Sequence, residues 1–303
     1  MKIIDTPREF QPNYVSDYPP YSSGKNTEEI LYGLLKENAA TIETEYIYIP
    51  IFWTSIYTMR NHNGSFDDLY NWLDTLDKSK KYFTIVQNDC GVFVRNFDLS
   101  ILVFSAGGGG LNIKNGNTVK DCFYNGLKRS IFSGNTGDYD LPLMCLPLLQ
   151  TENSQSNQQR DIFCSFIGRY DTHWCRIKMA EKLMNKKEYA FFESTKNIED
   201  YKAILNRSVF TLAPRGFGYT SFRLFEALLS GSIPIYVWEE KYVLPYNEIL
   251  DWSKIAITIN INDVDNLDEI LRSTNIKEMQ ENIKTARKYF NYEYMAEYIK
   301  QHL

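Results

Sequence analysis

Several chemistries can be struck out by what these 303 residues do not contain. There are three histidines, His62, His173 and His302, and five cysteines, Cys90, Cys122, Cys145, Cys164 and Cys175, with no C-x-x-C pair. Scattered in this way they cannot assemble the ligand spacing of a zinc site. The cysteine count is odd, and most of the five sit in or beside apolar runs, where a reduced thiol packs as a small hydrophobe. Excess positive charge is missing as well. The formal net charge is −5 with no block of like sign, so the basic face that a nucleic-acid partner requires is absent. No apolar run approaches the ~18 residues of a membrane span, and the opening MKIIDTPREFQPNYV has no signal-peptide core. The chain therefore reads as cytoplasmic, with reduced thiols and no transmembrane segment. No G-x-G-x-x-G opens a strand–helix unit, which discounts a Rossmann oxidoreductase. The run Gly107–Gly110 lacks the Gly-Lys-Ser/Thr of a P-loop.

What is present is an ordinary globular balance of 44% hydrophobic and 23% charged residues, in a chain long enough for two domains. Residues 1–25 read as an irregular surface arm. Helical spacing follows over Asn26–Thr41, a β-type run over Tyr46–Phe52, and a Ser65-capped helix through Leu76. Tyr82–Gln87 and Leu99–Ser105 read as buried parallel strands. The polar stretch TENSQSNQQR between Leu149 and Asp161 is the best linker. Beyond it the alternation restarts: strand Ile162–Ile167, helix His173–Met184, strand Tyr189–Phe192, helix Ile198–Asn206, strand Ser208–Leu212. Helix Ser221–Leu229, strands Ile233–Val237 and Ile255–Ile259, and helices Leu267–Arg272 and Ile276–Tyr298 complete it. Two β/α blocks around a polar linker imply an α/β protein of two Rossmann-like domains, 1–150 and 161–303, joined by 151–160. The last helix is a candidate to pack back on the first domain.

The stretch from Ser208 to Trp252 carries the chemistry. A strand runs into Pro214-Arg215-Gly216-Phe217-Gly218, and a helix opens at Thr220-Ser221-Phe222. Glycines there let the backbone approach a ligand, and the N–H groups of the helix's first turn suit an anionic phosphate. Arg215 and Arg223 offer the forked donors best matched to phosphate oxygens. Glu226, three residues beyond Arg223, could accept from the hydroxyls of a ribose. Taken on spacing alone, a plain connector and a surface ion pair explain these residues equally well.

The same stretch resembles the C-terminal signature of the exostosin-like glycosyltransferases, family 47. The matches are Ala213-Pro-Arg-Gly216, Ser221-Phe-Arg223, Glu226-Ala-Leu228, Gly231-Ser-Ile-Pro234, Leu244-Pro-Tyr246 and Asp251-Trp252. Phe166-Ile-Gly168-Arg169 resembles the family's Phe-x-Gly strand end, and Arg176 the arginine of the next helix. Ile49-Pro-Ile-Phe-Trp-Thr54 is similar to a first-domain strand. Phe83–Gly91 is similar to a strand ending in His-Asp-x-Gly, with Asn88 in place of the His, so no role for that His carries over. The loop after Val237 is about two residues longer than the family's usual one.

The resemblance implies a GT-B architecture, two Rossmann-like domains with parallel sheets facing a central cleft. It implies an inverting, metal-independent transfer of a sugar from a UDP-sugar donor to a glycan acceptor. No cofactor is expected. Arg169, Arg176, Arg215, Gly216, Gly218, Thr220, Ser221, Phe222, Arg223 and Glu226 are the expected donor-binding residues. An inverting displacement needs a base on the acceptor side, and Asp89, closing a parallel strand, is the first candidate with Asp138 the second. Two Asp-x-Asp triplets, Asp138-Tyr-Asp140 and Asp263-Val-Asp265, are the only metal candidates of the GT-A type. The alternative is a glycosyltransferase-like subunit that binds sugar nucleotide or glycan and supports an active partner.

Overall fold

The computed structural model describes residues 1–14, 24–60, 65–89, 91–92, 99–107, 159–192 and 198–303, with the backbone alone of 118–124, 127–133 and 140–142. In chain order the elements are β1 (Lys2–Ile3), α1 (Thr27–Glu37), β2 (Tyr46–Tyr48), α2 (Trp53–Met59), α3 (Asp67–Asp74), β3 (Lys81–Val86) and β4 (Ser100–Ser105). A hairpin of β5 (Thr118–Tyr124) and β6 (Leu127–Ser133) and the short β7 (Asp140–Pro142) follow. The second half holds β8 (Ile162–Ile167), α4 (Trp174–Leu183), β9 (Tyr189–Phe192), α5 (Ile198–Arg207), β10 (Ser208–Pro214), α6 (Phe222–Ser230), β11 (Ile233–Trp238) and β12 (Ile257–Asn260). It continues with α7 (Leu267–Ser273), α8 (Ile276–Ala286) and α9 (Tyr292–Gln301).

The chain divides into two compact units, Met1–Pro147 with Tyr292–Leu303, and Leu148–Asn291. Each is built on a five-stranded, all-parallel sheet, so the α/β class read from the sequence holds. In the first unit the strand order is β1-β2-β3-β4-β7, monotonic along the chain. The arm at the N-terminus is not wholly irregular. Lys2 and Ile3 pair with Ile47 and Tyr48 as an edge strand, and Phe10 is buried against Trp72 with ring centroids 5.5 Å apart. α1 starts on a capping box in which the Asn26 side chain accepts from the Glu29 backbone and the Glu29 carboxylate accepts from the Asn26 N–H. α9 packs on α1 within this unit.

Two expectations fail here for physical reasons. The run Ile49–Thr54 is not a strand: β2 ends at Tyr48 and α2 opens at Trp53. The buried Glu28 carboxylate accepts from both the N–H and hydroxyl of Thr54, while the Trp53 indole donates to Thr84, and these tertiary bonds override the β propensity of WTSIYTM. The long helix expected over Ile276–Tyr298 is two helices, because a 3₁₀ turn at Arg287–Tyr289 buries Phe290 against Phe225 and Trp252. The β5–β6 hairpin has no counterpart in the sequence reading.

In the second unit the strand order is β12-β11-β10-β8-β9. The chain passes from β8 to β9 on one side and then returns to lay β10 on the other, so the order reverses between β8 and β10. In open α/β sheets a ligand sits outside the carboxyl ends of the strands at such a switch point. α6 leaves β10 at that place and buries Leu224, Phe225 and Leu228 against the core. At about 2 kcal/mol for each fully buried large side chain, that face fixes the helix firmly, as an upper estimate. Its C-terminus closes on Gly231 at φ 78°, with Arg160 donating to the carbonyls of Leu205, Ser208 and Ser230 and Arg287 to that of Leu228. The positive φ favours glycine, and a Cβ at residue 231 would lie 2.6 Å from Arg287 Nη2 and displace it. Cys164 and Cys175 are free and buried.

Candidate functional site

The residues expected to hold the donor gather at the carboxyl ends of β8 and β10 and at the start of α6, where the strand order reverses. Phe166, near the end of β8, is the floor. The Arg223 guanidinium lies 4.7 Å from its ring centroid and that of Arg176 6.0 Å. Gly168, two residues on, has φ 145°, and a Cβ there would come within 2.4 Å of Arg223 Nη2. The guanidinium thus occupies the space that a side chain at residue 168 would take. Arg223 is 8% exposed, and its Nε and Nη1 are buried with no hydrogen-bond partner. An unpaired buried guanidinium N–H is costly, and the cost falls away when an anion arrives.

Beside it α6 begins with Ser221 as the N-cap in extended conformation, with no side-chain capping bond. The first turn of any helix has N–H groups that no helix carbonyl accepts, at the positive end of its dipole. Thr220 and Ser221 are 4% and 5% exposed. One turn into the helix, Glu226 is 2% exposed and receives the hydroxyl of Tyr201 from α5. Tyr201 carried no signal in the sequence, since nothing in its spacing from Glu226 placed α5 beside α6.

The other arginines do different work. Arg176 on α4 donates to three backbone carbonyls, those of Arg215 at 3.0 Å, Arg169 at 3.0 Å and Pro214 at 3.5 Å. It staples the loop after β8 to the loop after β10, and a Cβ at Gly216 would press on it at 3.2 Å. Arg169 is exposed and pairs with Asp171 through two bonds of 3.0 and 2.6 Å. Arg215 is 5% exposed and committed to the protein: Nη1 donates to the Glu239 carboxylate at 3.1 Å and Nη2 to the Phe217 carbonyl at 3.3 Å. So the four arginines expected to bind the donor stand in unlike states, and Arg223 is the one with two buried, unpartnered nitrogens.

Near Arg215, His173 caps α4 by accepting from the Cys175 N–H at 3.2 Å, and its Nε2 lies 4.0 Å from Glu239. Burial first, and then the charges of Arg215 and Arg176, push His173 down to about 4, so its ring is neutral near pH 7. Burial and the adjoining Glu240 push Glu239 up. Neither residue was among those read from the sequence as site residues. The doublet Glu239-Glu240 at a strand end was the available signal.

Much of the remaining signature is structural. The Trp252 indole donates to the Pro245 carbonyl at 2.8 Å, and Asp251 caps the turn that carries Trp252. Asp263 and Asp265 lie in a 3₁₀ turn, where Asp265 pairs with Lys182 at 2.9 Å. Asp89 follows β3 in a turn closed by the Gly91 N–H on the Asn88 carbonyl at 2.9 Å. Gly107, at the end of β4, lies against that turn, since a Cβ there would meet the Gln87 and Asn88 carbonyls at 2.7 and 2.8 Å. Asp138 and Gly108–Gly110 fall outside the described residues, as do residues 151–158 of the polar stretch. Among the described residues no helix is long and apolar enough to cross a membrane.

The exostosin GT47 domain matches residues 127–274, which include Phe166, Arg176, Arg215, Arg223 and Glu226 but not Asp89. A 92-residue stretch is 34% identical to the exostosin-1 homolog of Caenorhabditis elegans, covering 30% of this chain and 24% of that protein. A probable glucuronosyltransferase of Oryza sativa subsp. japonica is 30% identical over 47% of this chain and 35% of its own length. A probable glucuronoxylan glucuronosyltransferase of Arabidopsis thaliana is 22% identical over 93% of this chain and 66% of its own length. The chain thus spans between about a quarter and two-thirds of the length of these three relatives. Among solved structures, the pneumococcal O-GlcNAc transferase GtfA in complex with UDP and GlcNAc aligns at a TM-score of 0.37 and 11% identity, over 78% of this chain and 58% of that one. A likeness so slight adds nothing to the topology described above. Over residues 127–274, which hold the ordered signature around Arg223, the chain is thus similar to the exostosin-like glycosyltransferases of family 47.

Proposed function

We propose that this chain transfers a sugar from a UDP-sugar to a hydroxyl of a glycan acceptor, in the GT-B manner, with inversion and without a metal ion. The observation that carries the reading is Arg223, a buried guanidinium with two unpartnered nitrogens beside the opening of α6 at a topological switch point. Charge builds on the diphosphate as its bond to the anomeric carbon breaks. A fixed cation and helix N–H groups stabilise that charge without reorganising. Because the chain supplies these positive groups itself, the proposal needs no divalent cation on the diphosphate. Glu226 is the acceptor for the ribose hydroxyls, with Tyr201 fixing its carboxylate.

On the acceptor side the base takes the proton of the attacking hydroxyl, and the oxygen displaces the diphosphate from the opposite face in one step. Asp89 is the proposed base and Asp138 the alternative. The test is a thermal-shift panel of nucleotide sugars, because a ligand at a hundred times its dissociation constant stabilises by ~2.7 kcal/mol. UDP should raise the melting temperature, and transfer should persist in excess EDTA. No shift with UDP would overturn the donor assignment. Loss of transfer in EDTA, restored by Mn²⁺, would overturn metal independence and return Asp138 and Asp140 to consideration.

A further inference from the structure

The loop after β11 sets two carboxylates against Arg215, and they limit what else that arginine can bind. Glu240 has φ 59°, a left-handed conformation that a residue with a Cβ adopts only when its surroundings impose it. With the chain so turned, consecutive glutamates reach one guanidinium: Glu239 lies 3.1 Å and Glu240 3.7 Å from Arg215 Nη1. The same Nη1 also approaches the Glu239 carbonyl at 3.4 Å, and Nη2 is taken by Phe217. The guanidinium covers the Tyr219 ring at 4.1 Å, and Lys241 lies 5.5 Å from that ring. Nε of Arg215 is buried and without a partner. Arg215 and the Ser221 cap are the two ends of a single loop, residues 215–221, so a group held at the α6 N-terminus and a group held at Arg215 are read by one segment.

Resting on the donor-site reading above, we infer that the Arg215–Glu239 pair selects the sugar of the donor, admitting a neutral sugar and rejecting a uronic acid. A sugar hydroxyl is both donor and acceptor, so it can receive from Nε and give its own proton to the Glu239 carboxylate. A uronate carboxylate only accepts. Its strong mode is a pair of parallel N–H bonds from an arginine fork, and both Nη atoms of this fork already donate to Glu239 and Phe217. It would also have to approach Glu239 and Glu240, and like charges brought together cost affinity and discriminate between ligands. His173, 4.0 Å from Glu239, is neutral near pH 7 and does not offset that repulsion.

Equilibrium binding of UDP, UDP-glucose and UDP-glucuronate to the full chain tests this. The parent should prefer UDP-glucose at least fivefold, which is about 1 kcal/mol. In Glu239→Gln the ratio of the two affinities should fall at least fivefold, and in Glu240→Gln it should move the same way by less. Equal or tighter binding of UDP-glucuronate by the parent would overturn the inference, and that result requires no variant to fold. A ratio unmoved in both folded variants would overturn it too. UDP failing to bind at all would be a different failure, removing the donor-site reading and this inference with it.

Discussion

Replacing Arg223 with methionine separates a binding role from a structural one. The guanidinium is 8% exposed, stacked on Phe166, and leaves Nε and Nη1 without partners. In the empty protein each buried, unsatisfied N–H costs about 1–3 kcal/mol. A diphosphate would convert both into charge-assisted bonds worth about 1.5–3 kcal/mol each. Arg223→Met keeps a polarizable chain over the ring and discards both N–H groups. UDP should then bind with a loss of about 3–4 kcal/mol, roughly 10²–10³-fold in the dissociation constant. Meanwhile the ligand-free protein should unfold at the same or higher denaturant concentration, since a site kept ready for a ligand is stabilised when its unsatisfied groups are removed. Calorimetry with UDP and urea melts without ligand measure the two quantities. UDP affinity within threefold of the parent would refute the reasoning. So would a ligand-free variant destabilised by more than about 2 kcal/mol, because Arg223 would then be holding the fold together.

Asp89→Asn should leave UDP binding close to the parent value and slow transfer by ~10²–10⁴-fold, the usual cost of losing a general base; near-normal turnover in the folded variant would pass the role to Asp138. Acid should weaken the fold through His173: the folded group titrates at about 4 and the unfolded one near 6.5, so stability is full above 6.5 and is lost as pH falls toward 4. With the side chain partly open to solvent, the loss is about 2 kcal/mol after screening. His173→Asn retains a helix-capping acceptor and should flatten this part of the profile in denaturant melts. Glu29, pushed up to about 7 chiefly by burial, acts in the opposite sense, losing stability as pH rises from 4.5. Parent and variant must therefore be compared at each pH, and identical slopes would sink the His173 assignment.

Strands buried on both faces were the most legible parts of the sequence. β8 lies where the run Ile162–Ile167 placed it, because a parallel strand covered on both sides is mostly apolar, and the edge strand β9 lies at Tyr189–Phe192 as read, although three of its four residues are only half-buried. Helix caps read well too, as Ser221 before α6 and Asn26 before α1 testify. The two-residue β1 is too short to display a period, so nothing marked it as a strand. The break between α8 and α9 was hidden because helical spacing runs on through residues 287–291, while only tertiary packing shows Phe290 drawn into the core. At the site, Gly168, Arg223 and Glu226 were legible as residue types in a spaced pattern. Which arginine is committed elsewhere was not, because the pairing of Arg215 with Glu239 joins two strand ends 24 residues apart.

The Arg176 staple has a consequence for how such a protein could change its substrate. Its three bonds end on main-chain oxygens, which every amino acid supplies, so, Gly168 and Gly216 apart, the relative placement of the loops after β8 and β10 does not depend on the side chains those loops carry. Residues 217–219 and 239–242 can then be exchanged for others while the proposed phosphate grip, seated on Phe166, Gly168 and α6, stays in place. Selection, or an engineer, could revise the choice of sugar by rewriting a few loop positions, with the anchoring chemistry inherited intact.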